Sequence, residues 1–140
     1  MNYLLDTCII SEMVKPKPNQ KVIQWLMSKN EQTLFLSVIT IGELWKGINK
    51  LSESKKKEEI KLWVTNDLRQ RFDKKILEIT EEIAKVWGEI QGKTEKEGKK
   101  LPAIDSLLGA TAIFYDMIMV TRNPFNTELK ELSILNPWEL

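Results

Sequence analysis

Met117-Ile118-Met119-Val120-Thr121 carries no polar side chain before its last residue, and this run decides the fold. A strand wetted on one side alternates apolar with polar residues, whereas a strand apolar at every position is covered on both faces, as in a parallel sheet flanked by helices. Upstream, Ala103 to Tyr115 is nearly all apolar at helical length and reads as the helix feeding this strand. Further out, Tyr3-Leu4-Leu5 is a short apolar strand that stops at Asp6-Thr7, and Leu34-Phe35-Leu36-Ser37-Val38 is a second. Between them, an apolar segment from Cys8 to Met13 ends at Lys15-Pro16-Lys17-Pro18, and Val22, Ile23, Leu26 and Met27 recur at helical spacing after Asn19. Thr40 is expected to open a helix through Leu44 and Ile48, followed by a second helical pattern from Ile60 to Phe72. Ile76-Leu77-Glu78-Ile79 and Leu132-Ser133-Ile134-Leu135 are the remaining strand candidates. Thr80 is placed to cap a helix that buries Ile83, Val86, Trp87 and Ile90. The alternation predicts an α/β fold, a three-layer α/β/α sandwich around a small, mainly parallel sheet. With no repeat or linker to divide it, residues 1–140 are expected to form a single domain.

Composition narrows the chemistry. A chain of 140 residues, 42% hydrophobic and 29% charged, buries a core and is neither disordered nor fibrous. No apolar run approaches the roughly 18 residues of a membrane helix, and the start lacks a secretion signal, so a cytoplasmic location without membrane attachment is expected. Cys8 is the only cysteine and there is no histidine, which removes Ser-His-Asp and Cys-His nucleophiles, imidazole bases and the usual zinc sites. The net charge of +1 says nothing about a polyanionic partner, so any such case must be local.

In open α/β sheets, function sits outside the carboxyl ends of the strands. Asp6 ends the first strand, Glu43 follows the second, and Asp105 lies in the first turn of the helix before the Ile118 strand. Helix starts face the same rim as strand ends, so three carboxylates converge there. Each has a purely structural reading as well: Asp6 as a helix N-cap, Glu43 as the partner of Thr40 in a capping box, Asp105 as a first-turn acid complementing the helix dipole. All three sit among apolar residues, where an unpaired charge is costly, so a cation is expected to compensate. Asp116, near a helix end, reads as a solvated turn residue. Oxygen-only ligands suit Mg²⁺ or Mn²⁺, and phosphodiester hydrolysis by metal-activated water is the matching chemistry.

The same residues carry a resemblance. Met1-Asn2-Tyr3-Leu4-Leu5-Asp6-Thr7-Cys8-Ile9-Ile10-Ser11-Glu12, Ser37-Val38-Ile39-Thr40-Ile41-Gly42-Glu43-Leu44, Ile104-Asp105-Ser106-Leu107-Leu108-Gly109-Ala110-Thr111-Ala112, Val120-Thr121-Arg122-Asn123 and Asn136-Pro137-Trp138 resemble the PIN-domain family in order and spacing. The chain is most similar to its VapC-type ribonuclease toxins of bacterial toxin–antitoxin pairs, including the FitB-like branch. The resemblance implies a Mg²⁺- or Mn²⁺-dependent endoribonuclease with Asp6, Glu43 and Asp105 as catalytic, metal-binding acids and Thr7 and Thr121 in support. It also implies a homodimer and a cognate VapB-like antitoxin protein. There is one departure. Where the family commonly has a fourth acid, Thr121-Arg122-Asn123-Pro124-Phe125-Asn126 offers only amides. Asn123 or Asn126 stands in that place as an uncharged ligand, which favours one ion over two; the structural alternative for Asn123 is a turn before Pro124.

For the RNA substrate, Lys46, Lys50, Lys55, Lys56, Lys57 and Lys61 form a basic-biased stretch after Glu43 that either follows a phosphate backbone or is a solvated helix face. Trp45 is a candidate for stacking on a base or for the core, and Arg122 a candidate phosphate contact. Two other classes compete: a catalytically silent PIN-like module binding RNA or protein, and a phosphatase. The phosphatase is disfavoured because Asp6-Thr7-Cys8 lacks the second aspartate of an Asp-x-Asp motif.

Overall fold

The computed structural model describes residues 1–123 and 129–140. Asn126, one of the two candidate amides, lies outside the described residues. The order of elements is β1 (Tyr3–Leu5), α1 (Thr7–Met13), α2 (Gln20–Met27), β2 (Leu34–Ser37), α3 (Val38–Asn49), α4 (Lys55–Leu62), a π-helical stretch (Trp63–Leu68), α5 (Arg69–Arg71), β3 (Ile76–Leu77), α6 (Glu81–Lys96), α7 (Ala103–Phe114), β4 (Ile118–Val120) and β5 (Ile134–Leu135). The strands form one sheet in the order β3-β2-β1-β4-β5, and every pairing is parallel.

The apolar-throughout strands explain this arrangement. Leu5, Leu34, Leu36 and Val120 point into one core cluster with Ile9, Ile10, Val22, Ile48, Leu68 and Phe72, so α1, α2, α3 and the α4 to α5 segment cover that face. Leu4 and Met119 point the opposite way into a second cluster with Leu108 and Ala112, and Phe35, Leu77 and Ile134 pack on it. Neighbouring residues of a strand alternate in facing, so both layers of helices bury apolar side chains of the same short strands. Leu4, Leu5, Leu36 and Met119 are all 0% exposed. Each such burial contributes about 1.5–3 kcal/mol relative to exposure, which lets strands of two to four residues hold the sheet. The three-layer α/β/α architecture is the expected one.

Helix starts follow local chemistry. Asn19 accepts from the backbone N–H of Lys21 at 2.9 Å, and Thr80 from that of Ile83 at 3.2 Å, capping α2 and α6. The expected start of α3 needs correction: Ser37, not Thr40, is the cap, its hydroxyl accepting from Ile39 N–H at 3.0 Å. Val38 is expected to end the strand and Ile39 to precede the helix, both being apolar and β-branched, yet they form its first turn. Thr40 is therefore inside α3 and fully buried, and Glu43 lies in the second turn with no capping box. Asp116 adopts a left-handed backbone conformation (φ 54°) just after α7 and is exposed, as a turn residue should be.

The strand order creates a switch point. From β1 the chain builds outward through β2 to β3, then crosses to the other side of β1 for β4 and β5. Crevices open at the carboxyl ends of the two strands flanking such a reversal, here β1 and β4. Asp6 directly follows β1 and Thr121 directly follows β4.

Candidate active site

Asp6 is both cap and site residue. Its backbone is extended at the N-cap of α1, and Oδ1 accepts from Thr7 N–H at 2.7 Å. Oδ2 accepts from the Thr121 hydroxyl at 2.7 Å, linking the ends of β1 and β4. Asp6 is only 4% exposed and Thr121 is fully buried, so this bond to a carboxylate is shielded from water. Thr121 also accepts from the Asn123 N–H at 3.0 Å, a side-chain turn that orients the chain leaving β4. The Asn123 side chain itself is half-buried and makes no hydrogen bond among the described residues.

Thr7 reaches the third element. Its hydroxyl donates to Glu43 Oε1 at 2.5 Å and lies 3.2 Å from the hydroxyl oxygen of Thr40 on α3. Burying Thr40 inside α3 thus serves the rim after all, through Thr7 rather than through a cap. Asp105 sits in the first turn of α7, half-buried. Burial, then the charges of Asp6 and Glu43, push its carboxyl above the ordinary carboxylate range. Asp105 is thus near enough to Asp6 and Glu43 for their charges to act on it. Among the described residues, no lysine or arginine lies within salt-bridge distance of any of them.

Cys8, unassigned in sequence beyond its lack of a disulfide partner, borders this group, with Sγ 3.9 Å from both Asp6 Oδ2 and Thr121 Oγ1. Burial and then the Asp6 charge raise its pKa, which favours the neutral thiol over a thiolate. The donors available to a cation are thus hard oxygens, which fits Mg²⁺ or Mn²⁺. Among the described residues, no three acidic or thiol groups are close enough to ligate one ion directly. That suits an ion binding through one or two carboxylates and keeping several waters.

The candidate substrate contacts fare unevenly. Arg122 is exposed, but its guanidinium stacks 4.5 Å from the Trp138 ring, anchoring the residues after β4 to the C-terminal turn. Trp45 is half-buried and packs against the first core cluster. Lys46, Lys50, Lys55 and Lys56 are exposed, whereas Lys57 is buried and donates to Leu51 O and Glu53, and Lys61 pairs with Glu58. The basic stretch is therefore not one continuous free face. Glu12, which belongs to the first resemblance motif but had no role read for it, is a buried acid on α1 that accepts from Lys15 at 2.9 Å and from Asn19 N–H at 2.8 Å.

The structure is thus that of an α/β protein with a parallel sheet between two helical layers, Asp6 and Thr121 at its switch point and Glu43 and Asp105 on the helices beside it. The chain belongs to the PIN-domain family: the PIN domain model matches residues 3–132. It is 32% identical over 135 residues to Toxin FitB of Neisseria gonorrhoeae, covering 96% of this chain and 97% of that protein. It is 26% identical to VapC ribonuclease Y4jK of Sinorhizobium fredii, covering 97% of each. Its fold matches the crystal structure of FitAcB from Neisseria gonorrhoeae with a TM-score of 0.92 and 32% identity, covering 99% of both chains.

Proposed function

We propose that this chain is a divalent-metal-dependent endoribonuclease, the toxin of a VapBC-type toxin–antitoxin pair, folded as one domain over residues 1–140. One observation carries the reading. Asp105 is desolvated and repelled by Asp6 and Glu43, and no protein cation among the described residues relieves the three. Like charges crowded this way are costly unless something positive joins them. RNA as substrate is supported by the similarity to a protein named a VapC ribonuclease, and the toxin role by that to one named Toxin FitB.

Asp6, Glu43 and Asp105 are assigned to the Mg²⁺ or Mn²⁺ site, one or two of them binding the ion directly and the rest through its waters. When bound, such an ion lowers the pKa of its water and stabilises negative charge developing on a phosphate. Thr121 and the Thr7 N–H fix the Asp6 carboxylate, and the Thr7 hydroxyl fixes that of Glu43. Asn123, whose backbone N–H bonds Thr121, would bring only an uncharged amide where a fourth acid would bring charge, so one ion is favoured over two. A homodimer and a VapB-like antitoxin are the assigned partners. Ile104, Phe114 and Tyr115 of the α7 segment are exposed and give a second copy apolar surface to cover. No helix among the described residues is long and apolar enough to cross a membrane, and RNA as substrate sets the working place in the cytoplasm.

The test is incubation of the purified chain with single-stranded RNA, with Mg²⁺ or Mn²⁺ and then with chelator, alongside Asp105→Asn. Cleavage should need metal and vanish in the variant. Absence of metal-dependent cleavage, or undiminished cleavage by Asp105→Asn, overturns the reading. Loss of cleavage with RNA binding retained in the wild type would favour the catalytically silent module, for which the amide at Asn123 is the motivating feature.

A further inference from the structure

α7 enters the site with a weak start. Its N-cap is Pro102, which provides no side-chain hydrogen bond, and its first turn carries Asp105 toward two other acids. Something must hold that turn in place against like charge. Immediately after Asp105, Ser106 is 0% exposed, and its hydroxyl is saturated. It donates back into the turn, 2.6 Å from Pro102 O and 3.0 Å from Ala103 O. Its oxygen accepts from Trp87 Nε1 at 3.1 Å and from Gln91 Nε2 at 2.7 Å, both on α6. Gln91, 9% exposed, also lies 3.4 Å from Leu101 O, so α6 grips the chain on both sides of the helix start.

A hydroxyl has one proton and two lone pairs, and here all three are used in a buried setting. Trp87 and Gln91 are one helical turn apart on α6, so their side chains reach the same spot together. We propose that Trp87 and Gln91 are positioning residues for the metal site, acting through Ser106 to set the place of Asp105. This rests on the assignment of Asp105 as a metal-binding acid. Both side chains bond to Ser106 rather than to Asp105 itself. Their effect passes through the first turn of α7, whose displacement by a fraction of an ångström changes how the Asp105 carboxylate meets Asp6 and Glu43.

The test measures Mn²⁺ affinity by calorimetry on the full chain for wild type, Trp87→Phe and Gln91→Met, each shown to be folded by circular dichroism. Val64→Ala, in the core on the opposite face of the sheet, serves as a control for general destabilisation. Both α6 variants should bind Mn²⁺ about tenfold more weakly, the range in which outer-shell partners of metal ligands act. Val64→Ala should bind as the wild type does, even where it melts lower than the α6 variants. Unchanged Mn²⁺ affinity in both α6 variants, or an equal loss in Val64→Ala, overturns the proposal while leaving the metal site intact. Failure of the wild type itself to bind Mn²⁺ removes the assignment of Asp105 and this proposal with it.

Discussion

Replacing Thr121 with valine keeps the shape of the side chain and deletes one hydroxyl. That hydroxyl holds Asp6 Oδ2 at 2.7 Å between groups that are 0% and 4% exposed. A hydrogen bond to a charged acceptor contributes about 1.5–3 kcal/mol, and the shielded setting places this one toward the upper half of that range. The remaining donor near Oδ2 is the Cys8 thiol at 3.9 Å, too weak to substitute, while Thr7 N–H serves the other oxygen. The Asn123 N–H also loses its acceptor, but that residue is half-buried and water can replace the bond. For a chain of 140 residues, the loss lowers the melting temperature in metal-free buffer by about 5–10 °C. Mn²⁺ affinity falls about 10–100-fold, because Asp6 is no longer fixed for binding. Thermal unfolding followed by circular dichroism and a calorimetric Mn²⁺ titration check both numbers. A Thr121→Val protein that melts with the wild type and binds Mn²⁺ equally well would refute the view that this bond organises the site.

Two further outcomes concern pH and opposite signs. The Asp105 carboxyl is raised by burial and by Asp6 and Glu43, so its contribution to folding is fully present below its unfolded value and is lost as pH rises through the folded one. Metal-free Asp105→Asn should therefore be more stable than wild type at neutral pH and lose that advantage in acid; melting curves from the carboxylate range to neutrality decide it, and a less stable variant at neutral pH contradicts the repulsion. Glu12 behaves oppositely: the hydrogen bond from Lys15 holds its pKa below the usual value, aided by the Asn19 N–H, so its contribution is present above the unfolded value and lost as pH falls through the folded one. Glu12→Gln should flatten the acid limb of the stability profile, and an unaltered limb would show that the acid limb arises elsewhere.

The parts of the fold that were legible are those where burial is two-sided. Leu4 and Leu5, or Met119 and Val120, fill opposite cores, and a strand apolar at every position announces that condition without any partner being known. Asp6 and Asp105 were legible for a related reason: a carboxylate interrupting an apolar run at the end of a strand or the start of a helix needs an explanation. The start of α3 was not legible, since Val38 and Ile39 have the local preference of a strand and only packing converts them to helix. Glu43 was assigned to the rim from its place after β2; the capping box with Thr40 that was its structural alternative does not form, and its actual partner Thr7 is 36 residues away. The Ser106 hub left one faint mark, Trp87 and Gln91 four residues apart on the buried side of α6, but their common target lies on another helix. The π-helical stretch Trp63–Leu68 left none that we can identify.

The bond between Thr121 and Asp6 spans 115 residues of sequence. β1 emerges before β4 in synthesis and must wait for it before its carboxyl end acquires the crevice, because the two strands are neighbours in the sheet and distant in the chain. Closing so long a loop is slow compared with forming the local helices, so the elements from α1 to β3 can gather before the rim exists. A growing chain accordingly carries Asp6 and Glu43 in place with neither Asp105 nor Thr121 made. For a protein proposed to cut RNA, this topology is a delay: its cutting edge cannot be assembled until Thr121, 115 residues after Asp6, has been translated, by which time a partner made alongside it has had the same interval to accumulate.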